Sequence, residues 1–202
     1  MKPDFTGQVA VITGGAGGIG GALGRALTAA GAQVLLADRA GGEGIVACDV
    51  TRADDLEALA DLAWQRFGRV DLLVNNAGIG GAGGRLWKVD AAAARQIFEV
   101  NFWGVWNGCA AFAPRMAAQD HPSAIYNVAS ENALFSAVPR NGAYIASKHA
   151  VLGLTESFRE DLPKHVHAGT IIPGWVLSGL TSEGGRDVAM PADDYAAIIL
   201  PQ

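Results

Sequence analysis

The stretch VITGGAGGIGGALG, Val11 to Gly24, carries seven glycines in fourteen residues and continues directly from an apolar run. Between a strand and a helix, glycine serves three purposes: a tight turn, close approach of backbone to a pyrophosphate, and close packing of helix on strand. The amides and dipole of the helix N-terminus then face the anion. Two registers compete in these letters. Gly15-x-Gly17-x-x-Gly20 fits the generic dinucleotide fingerprint, and Thr13-Gly14-x-x-x-Gly18-x-Gly20 is a second spacing. A glycine-rich turn without ligand would read the same way, so the fingerprint alone is weak. Asp38 adds to it: it closes the next strand, near the ~20-residue offset at which a carboxylate meets an adenosine ribose hydroxyl. Taken alone, Asp38 is equally an ordinary polar strand end.

Outward from the loop, short apolar runs alternate with segments of helical period. QVAVITG precedes a helix from about Gly18 to Ala30, and AQVLLAD and GIVACDV precede one from about Asp54 to Phe67. VDLLVNNAG leads to a long helix from about Ala91 to Ala118, SAIYNVAS to one from about Gly142 to Asp161, and HAGTIIPG follows. Strands of continuous apolar character are buried on both faces, which places them in a parallel sheet covered by helices. The fold class is α/β: a doubly wound, Rossmann-like parallel sheet in a single domain over residues 1–202. Thr51 and Asp90 are candidate helix N-caps, each placed to accept from first-turn amides.

One connection breaks the pattern. Between the strand ending near Asp38 and the one starting near Gly44 lies only RAGGE, whereas a parallel crossover with a helix needs at least ~10–12 residues. Either the strands join by an extended crossing without a helix, or residues are absent there. The C-terminal helix after Pro191 likewise has no strand after it. The expected fold therefore lacks the helix between strands 2 and 3 and the last strand.

At 202 residues, half of them hydrophobic, the chain suits one substantial core. A net charge of -5 without a dense Lys/Arg stripe argues against nucleic acid. Two cysteines and four scattered histidines give neither a disulfide framework nor metal-ligand spacing. No signal-type or membrane-spanning apolar run is present, so a cytoplasmic protein without membrane association is expected.

Tyr144 and Lys148 stand at i and i+4, on one helical face. A phenol of pKa ~10 is barely ionised at neutral pH, and a nearby ammonium favours its phenolate. A surface Tyr beside a solvated Lys is the plainer alternative. The pair follows a strand ending in Ser130, and strand carboxyl ends are where ligands sit in such sheets. Asn101 lies in the long helix, where a buried amide needs partners; satisfying a backbone group and catalysis are both open to it. Glu131, directly after Ser130, reads as a loop salt bridge before it reads as a ligand for a hydroxylated substrate. Trp103 and Trp106 read as core or subunit-contact residues, with Trp175 the better candidate for lining a site.

Together these residues resemble the short-chain dehydrogenase/reductase family. Thr13-Gly14-x-x-x-Gly18-Ile19-Gly20, Asp49-Val50, Asn75-Asn76-Ala77-Gly78, Asn101, Ser130, Tyr144-x-x-x-Lys148 and Pro173-Gly174 occur in that family's order, across about residues 8 to 178. The resemblance makes the second glycine register the operative one. It implies an NAD-dependent enzyme acting on a secondary alcohol or ketone, with Tyr144 as general acid/base. Lys148 would lower the phenol's pKa and hold the nicotinamide ribose, Ser130 would orient the substrate oxygen, and Asn101 would hold a water. Gly14, Gly17, Gly18, Ile19, Gly20, Asp38, Arg39, Asp49, Val50 and Asn76 to Gly78 would hold the adenosine and phosphates. Pro173, Gly174, Val176 and Ser178 would flank the nicotinamide. Asp38 and the lack of a basic residue at Gly17 favour NAD over NADP; Arg39 is the counter-argument, since it could turn toward a 2′-phosphate. A homodimer or homotetramer is also implied. The alternatives are a dinucleotide-sensing regulator without chemistry and an NAD-using epimerase or dehydratase of the same superfamily.

Overall fold

The structure is a computed structural model that describes residues 4–81, 83–134, 138–181 and 186–200. β1 (Val9–Thr13) is buried at every position, as a strand without a polar face must be when helices cover both sides of its sheet. Its side chains alternate between two cores. Val9 and Val11 join Leu56, Leu59, Phe112, Met116 and Val151 on one face, and Ala10 and Ile12 join Leu23, Leu27, Val74 and Ala196 on the other.

Six parallel strands lie in the order β3-β2-β1-β4-β5-β6, with β2 at Gln33–Asp38, β3 at Ile45–Ala47, β4 at Leu72–Asn75, β5 at Ser123–Val128 and β6 at Val166–Ile171. One face carries α1 (Gly18–Ala29) and α6 (Ala192–Ile199), joined by an exposed Arg25–Asp193 ion pair. The other carries α2 (Ala53–Phe67), α4 (Gly104–Ala117) and α5 (Gly142–Asp161). α3 (Ala91–Phe98) enters α4 through a π turn at Glu99–Trp103, so the expected long helix is continuous but locally widened around Asn101.

No helix separates β2 from β3, and the register shows how the chain manages without one. β3 pairs only with Leu36, Ala37 and Asp38 at the end of β2. At ~3.3 Å per residue the chain therefore retreats only about 10 Å. Gly41 and Gly44 make that reversal with positive φ of 63° and 71°, and Gly42 and Ile45 exchange backbone hydrogen bonds, a conformation glycine adopts without a Cβ clash. Among the described residues no strand follows α6, and Pro201 and Gln202 lie outside them.

Asp90 caps α3 as expected, accepting from the amides of Ala92 and Ala93. Thr51 does not cap α2. The N-cap position is Arg52, without a side-chain cap, and the Thr51 hydroxyl donates instead to the Asp49 carboxylate at 2.8 Å. Acidic Asp54 and Asp55 supply the favourable charge at that helix start. Among the described residues, no helix is long and apolar enough to cross a membrane.

Candidate active site

Strand order reverses between β1 and β4, and in open parallel sheets the space beyond the strand ends at such a point is where ligands bind. A cleft of about 640 Å³ opens there. Thr13 and Asn76 stitch its floor. The Thr13 hydroxyl accepts from the amides of Asn76 and Ala77 at 3.1 and 3.2 Å, while the Asn76 side-chain amide donates to the carbonyls of Thr13 and Gly14. α1 then leaves the turn at close range. A Cβ at Gly20 would lie 2.4 Å from the Gly14 carbonyl oxygen, so only glycine lets helix and loop approach this way. Gly17, at the N-cap, has open space where a side chain would stand, and no side chain caps α1.

Of the residues singled out for the cofactor, Gly14, Gly17, Gly18, Ile19, Asp38, Asn76, Ala77 and Gly78 line one part of this cleft, and Pro173, Gly174, Val176 and Ser178 another. Asp38 also accepts from the Ala16 amide at 3.1 Å, which ties β2 to the loop. Gly20 backs the turn from beneath. Arg39, Asp49 and Val50 fall outside the lining. The Asp49 carboxylate is engaged by Thr51 and held below the usual carboxylate range by those hydrogen bonds. Val50 is buried in the core against α4.

Ser130, Tyr144 and Lys148 converge on the same cleft. Burial raises the Tyr144 phenol above its ordinary pKa, and its hydrogen bond with the Ser130 hydroxyl acts the other way. Lys148 is 3% exposed, and its Nζ donates to the Val128 carbonyl at 2.8 Å while standing 5.9 Å from the centre of the Tyr144 ring. Burial lowers its pKa to about 8. Helical spacing thus brings the pair together, but the ammonium hydrogen-bonds a strand-end carbonyl rather than the phenol.

Asn101 is fully buried within the π turn, a distortion of the helix that recurs at functional sites. Its Oδ1 accepts from the Ile79 amide at 2.8 Å, and its Nδ2 donates to the Ile79 carbonyl and to the Ser147 hydroxyl. Both ends of the side chain are therefore occupied in clamping the segment after β4. Glu131 also lines the cleft, and the salt bridge expected of it is not found among the described residues. Trp175 lines the cleft half-exposed, whereas Trp103 and Trp106 are not core residues. They pack edge to face on the surface, 43% and 47% exposed. Sequence reasoning passed over Val138, Asn141, Leu180 and Thr181, which also line the cleft. Only the Thr181 hydroxyl left a local signal, three residues past Ser178, from whose amide it accepts.

Residues 8–189 match the profile of the family described as short chain dehydrogenase. The chain is 36% identical to a 1-deoxy-11-beta-hydroxypentalenate dehydrogenase of Streptomyces arenae, covering 95% of this chain and 77% of that protein. It is 33% identical to a 2,5-dichloro-2,5-cyclohexadiene-1,4-diol dehydrogenase of Sphingobium indicum, over 86% of this chain and 74% of that one. Among solved structures, a short chain dehydrogenase/reductase from Burkholderia phymatum in complex with NAD superposes with a TM-score of 0.81. It is 37% identical and covers 96% of this chain and 78% of that chain. Sequence, relatives and sheet agree with the strand-end cleft, and the chain belongs to the short-chain dehydrogenase family as an NAD(P)-dependent dehydrogenase acting on alcohols.

Proposed function

We propose that the protein interconverts a secondary alcohol and its ketone with NAD as cofactor, Tyr144 exchanging the proton at the substrate oxygen. The observation that carries this reading is that the glycine loop and the Ser130, Tyr144 and Lys148 side chains open onto one cleft. The chain's own residues suit a dinucleotide. The uncapped N-terminus of α1, with open space at Gly17, is a ready seat for phosphate oxygens. Asp38 offers a carboxylate to a ribose hydroxyl and opposes a 2′-phosphate, while Arg39 stands outside the lining. When bound, NAD supplies the acceptor for the hydrogen leaving carbon.

The proton is the protein's part. A phenol whose pKa burial has raised is neutral at neutral pH, so Tyr144 is ready to donate to a ketone oxygen. To accept from an alcohol it must first ionise, and the Ser130 hydroxyl, hydrogen-bonding to the same oxygen, favours that state. Lys148, anchored on the Val128 carbonyl, adds a cation close behind the ring. Asn101 serves as a positioning residue that fixes the backbone at Ile79. One domain holds both cofactor and substrate. The exposed Trp103–Trp106 pair, read from the sequence as core or subunit-contact residues and found outside the core, supports a homo-oligomer; a monomer mass by light scattering would remove that part of the reading.

Oxidation of a panel of secondary alcohols, followed by NADH absorbance, tests the main proposal. Tyr144→Phe should lower turnover ~10²–10⁴-fold and leave NAD binding close to that of the parent. Retention of the parent rate, under conditions where the chemical step limits turnover, would overturn the assignment.

A further inference from the structure

Glu131 stands on a one-turn 3-10 segment, Glu131–Ala133, whose N-cap is Ser130. Its amide donates to the Pro173 carbonyl at 2.9 Å, which ties the turn after β5 to the turn after β6. The side chain crosses the same gap. A Cβ built on Gly174 would lie 2.9 Å from Glu131 Oε2, so the carboxylate rests over the Pro173–Gly174 turn on the side of the cleft that holds Ser130 and Tyr144. Among the described residues it has no hydrogen bond or ion pair. The one cationic side chain among the described lining residues is Lys148, and its Nζ is engaged by Val128. The other walls mix apolar Val138, Trp175 and Leu180 with the uncharged polar side chains of Asn132, Asn141 and Thr181.

A half-buried carboxylate with no partner among the described residues, facing a cleft without a free cation among those residues, is placed to accept from a donor that a ligand brings. We infer that Glu131 sets substrate choice, accepting a hydrogen bond from a donor group carried beside the reacting carbinol and repelling acidic substrates. The inference rests on the alcohol-oxidising reading above. A vicinal hydroxyl and a vicinal ammonium share the required chemistry, and either makes a charge-assisted hydrogen bond to a carboxylate. A carboxylate at the same position meets Glu131 as a like charge.

The test is a matched series of probes: cyclohexanol, its vicinal diol, its vicinal amino alcohol and its vicinal carboxylate, with NAD saturating, in the parent and in Glu131→Gln. Each kcat/KM is divided by that for cyclohexanol within the same enzyme. The expected parent order is amino alcohol and diol above cyclohexanol, with the hydroxy acid below. In Glu131→Gln the diol and amino alcohol ratios should fall ~10-fold and the hydroxy acid ratio should rise ~10-fold, the size of one charge-assisted hydrogen bond lost or one repulsion removed. The larger fall identifies which donor the site is built for. A merely structural Glu131 would not move the acid and the amine in opposite directions. Unchanged ratios with cyclohexanol still oxidised would overturn this inference and leave the oxidoreductase reading standing. Failure of all four probes, and of the matching ketones with NADH, would remove both.

Discussion

Replacing Lys148 by methionine removes the ammonium while keeping a flexible apolar stem in the same space, and its consequence for stability can be worked out from the site. The lysine is buried, and burial lowers its pKa from an ordinary 10.5 to about 8. At 1.36 kcal/mol per pH unit, holding the charged form inside costs about 3 kcal/mol. Folded protein binds fewer protons at this group than unfolded protein between about pH 8 and 10.5. The penalty is therefore fully present below pH 8 and is relieved as pH rises toward 10.5. The lost hydrogen bond to Val128 costs ~1–3 kcal/mol, but that term does not change with pH. The stability of the parent minus that of Lys148→Met should thus increase by ~2–3 kcal/mol between pH 7 and pH 10. Urea unfolding of both proteins without cofactor, at one-unit pH intervals, measures this difference, and titrations common to both proteins cancel. A flat difference would refute the reasoning, because it would mean that the ammonium is solvated in the folded state.

Asp38→Ala should reduce the NAD-over-NADP ratio of kcat/KM by ~10-fold or more, by removing both a hydrogen-bond acceptor and a repulsive charge; a parent that already uses the two cofactors equally would contradict the role given to Asp38. Gly108→Ala tests the packing of α4 on the sheet, since a Cβ there would stand 2.0 Å from Asn75 Oδ1, itself buried among Asn127 and Cys109. It should cost roughly 2–3 kcal/mol in denaturant unfolding, and an unchanged midpoint would show that the helix can shift without loss.

Much of the fold is legible locally. Continuous apolar runs marked the strands, helical period and the Asp90 cap marked helix starts, and the glycines between β1 and α1 marked the turn, because each depends on residues close together in the chain. The i, i+4 spacing likewise sufficed to place Tyr144 and Lys148 on one face of α5. The short link after Asp38 was readable as an anomaly. How it closes depended on a register in which β3 meets only the last three residues of β2.

What only the tertiary structure decided are the contacts between segments far apart in sequence. Nothing near Lys148 announces that its ammonium meets the carbonyl of Val128, and nothing near Asn101 announces that its amide clamps Ile79 from within a π turn. Val50 and Glu131 show the same limit in opposite directions. The first, matched by motif to the cofactor, is taken up by packing against α4; the second, matched by habit to a surface ion pair, lies over Gly174 in the cleft. A sequence pattern records which backbone a segment prefers and which face is apolar. The partner of a polar side chain is set by where two distant strand ends and a helix come to rest, and that is fixed by the packing of the whole sheet.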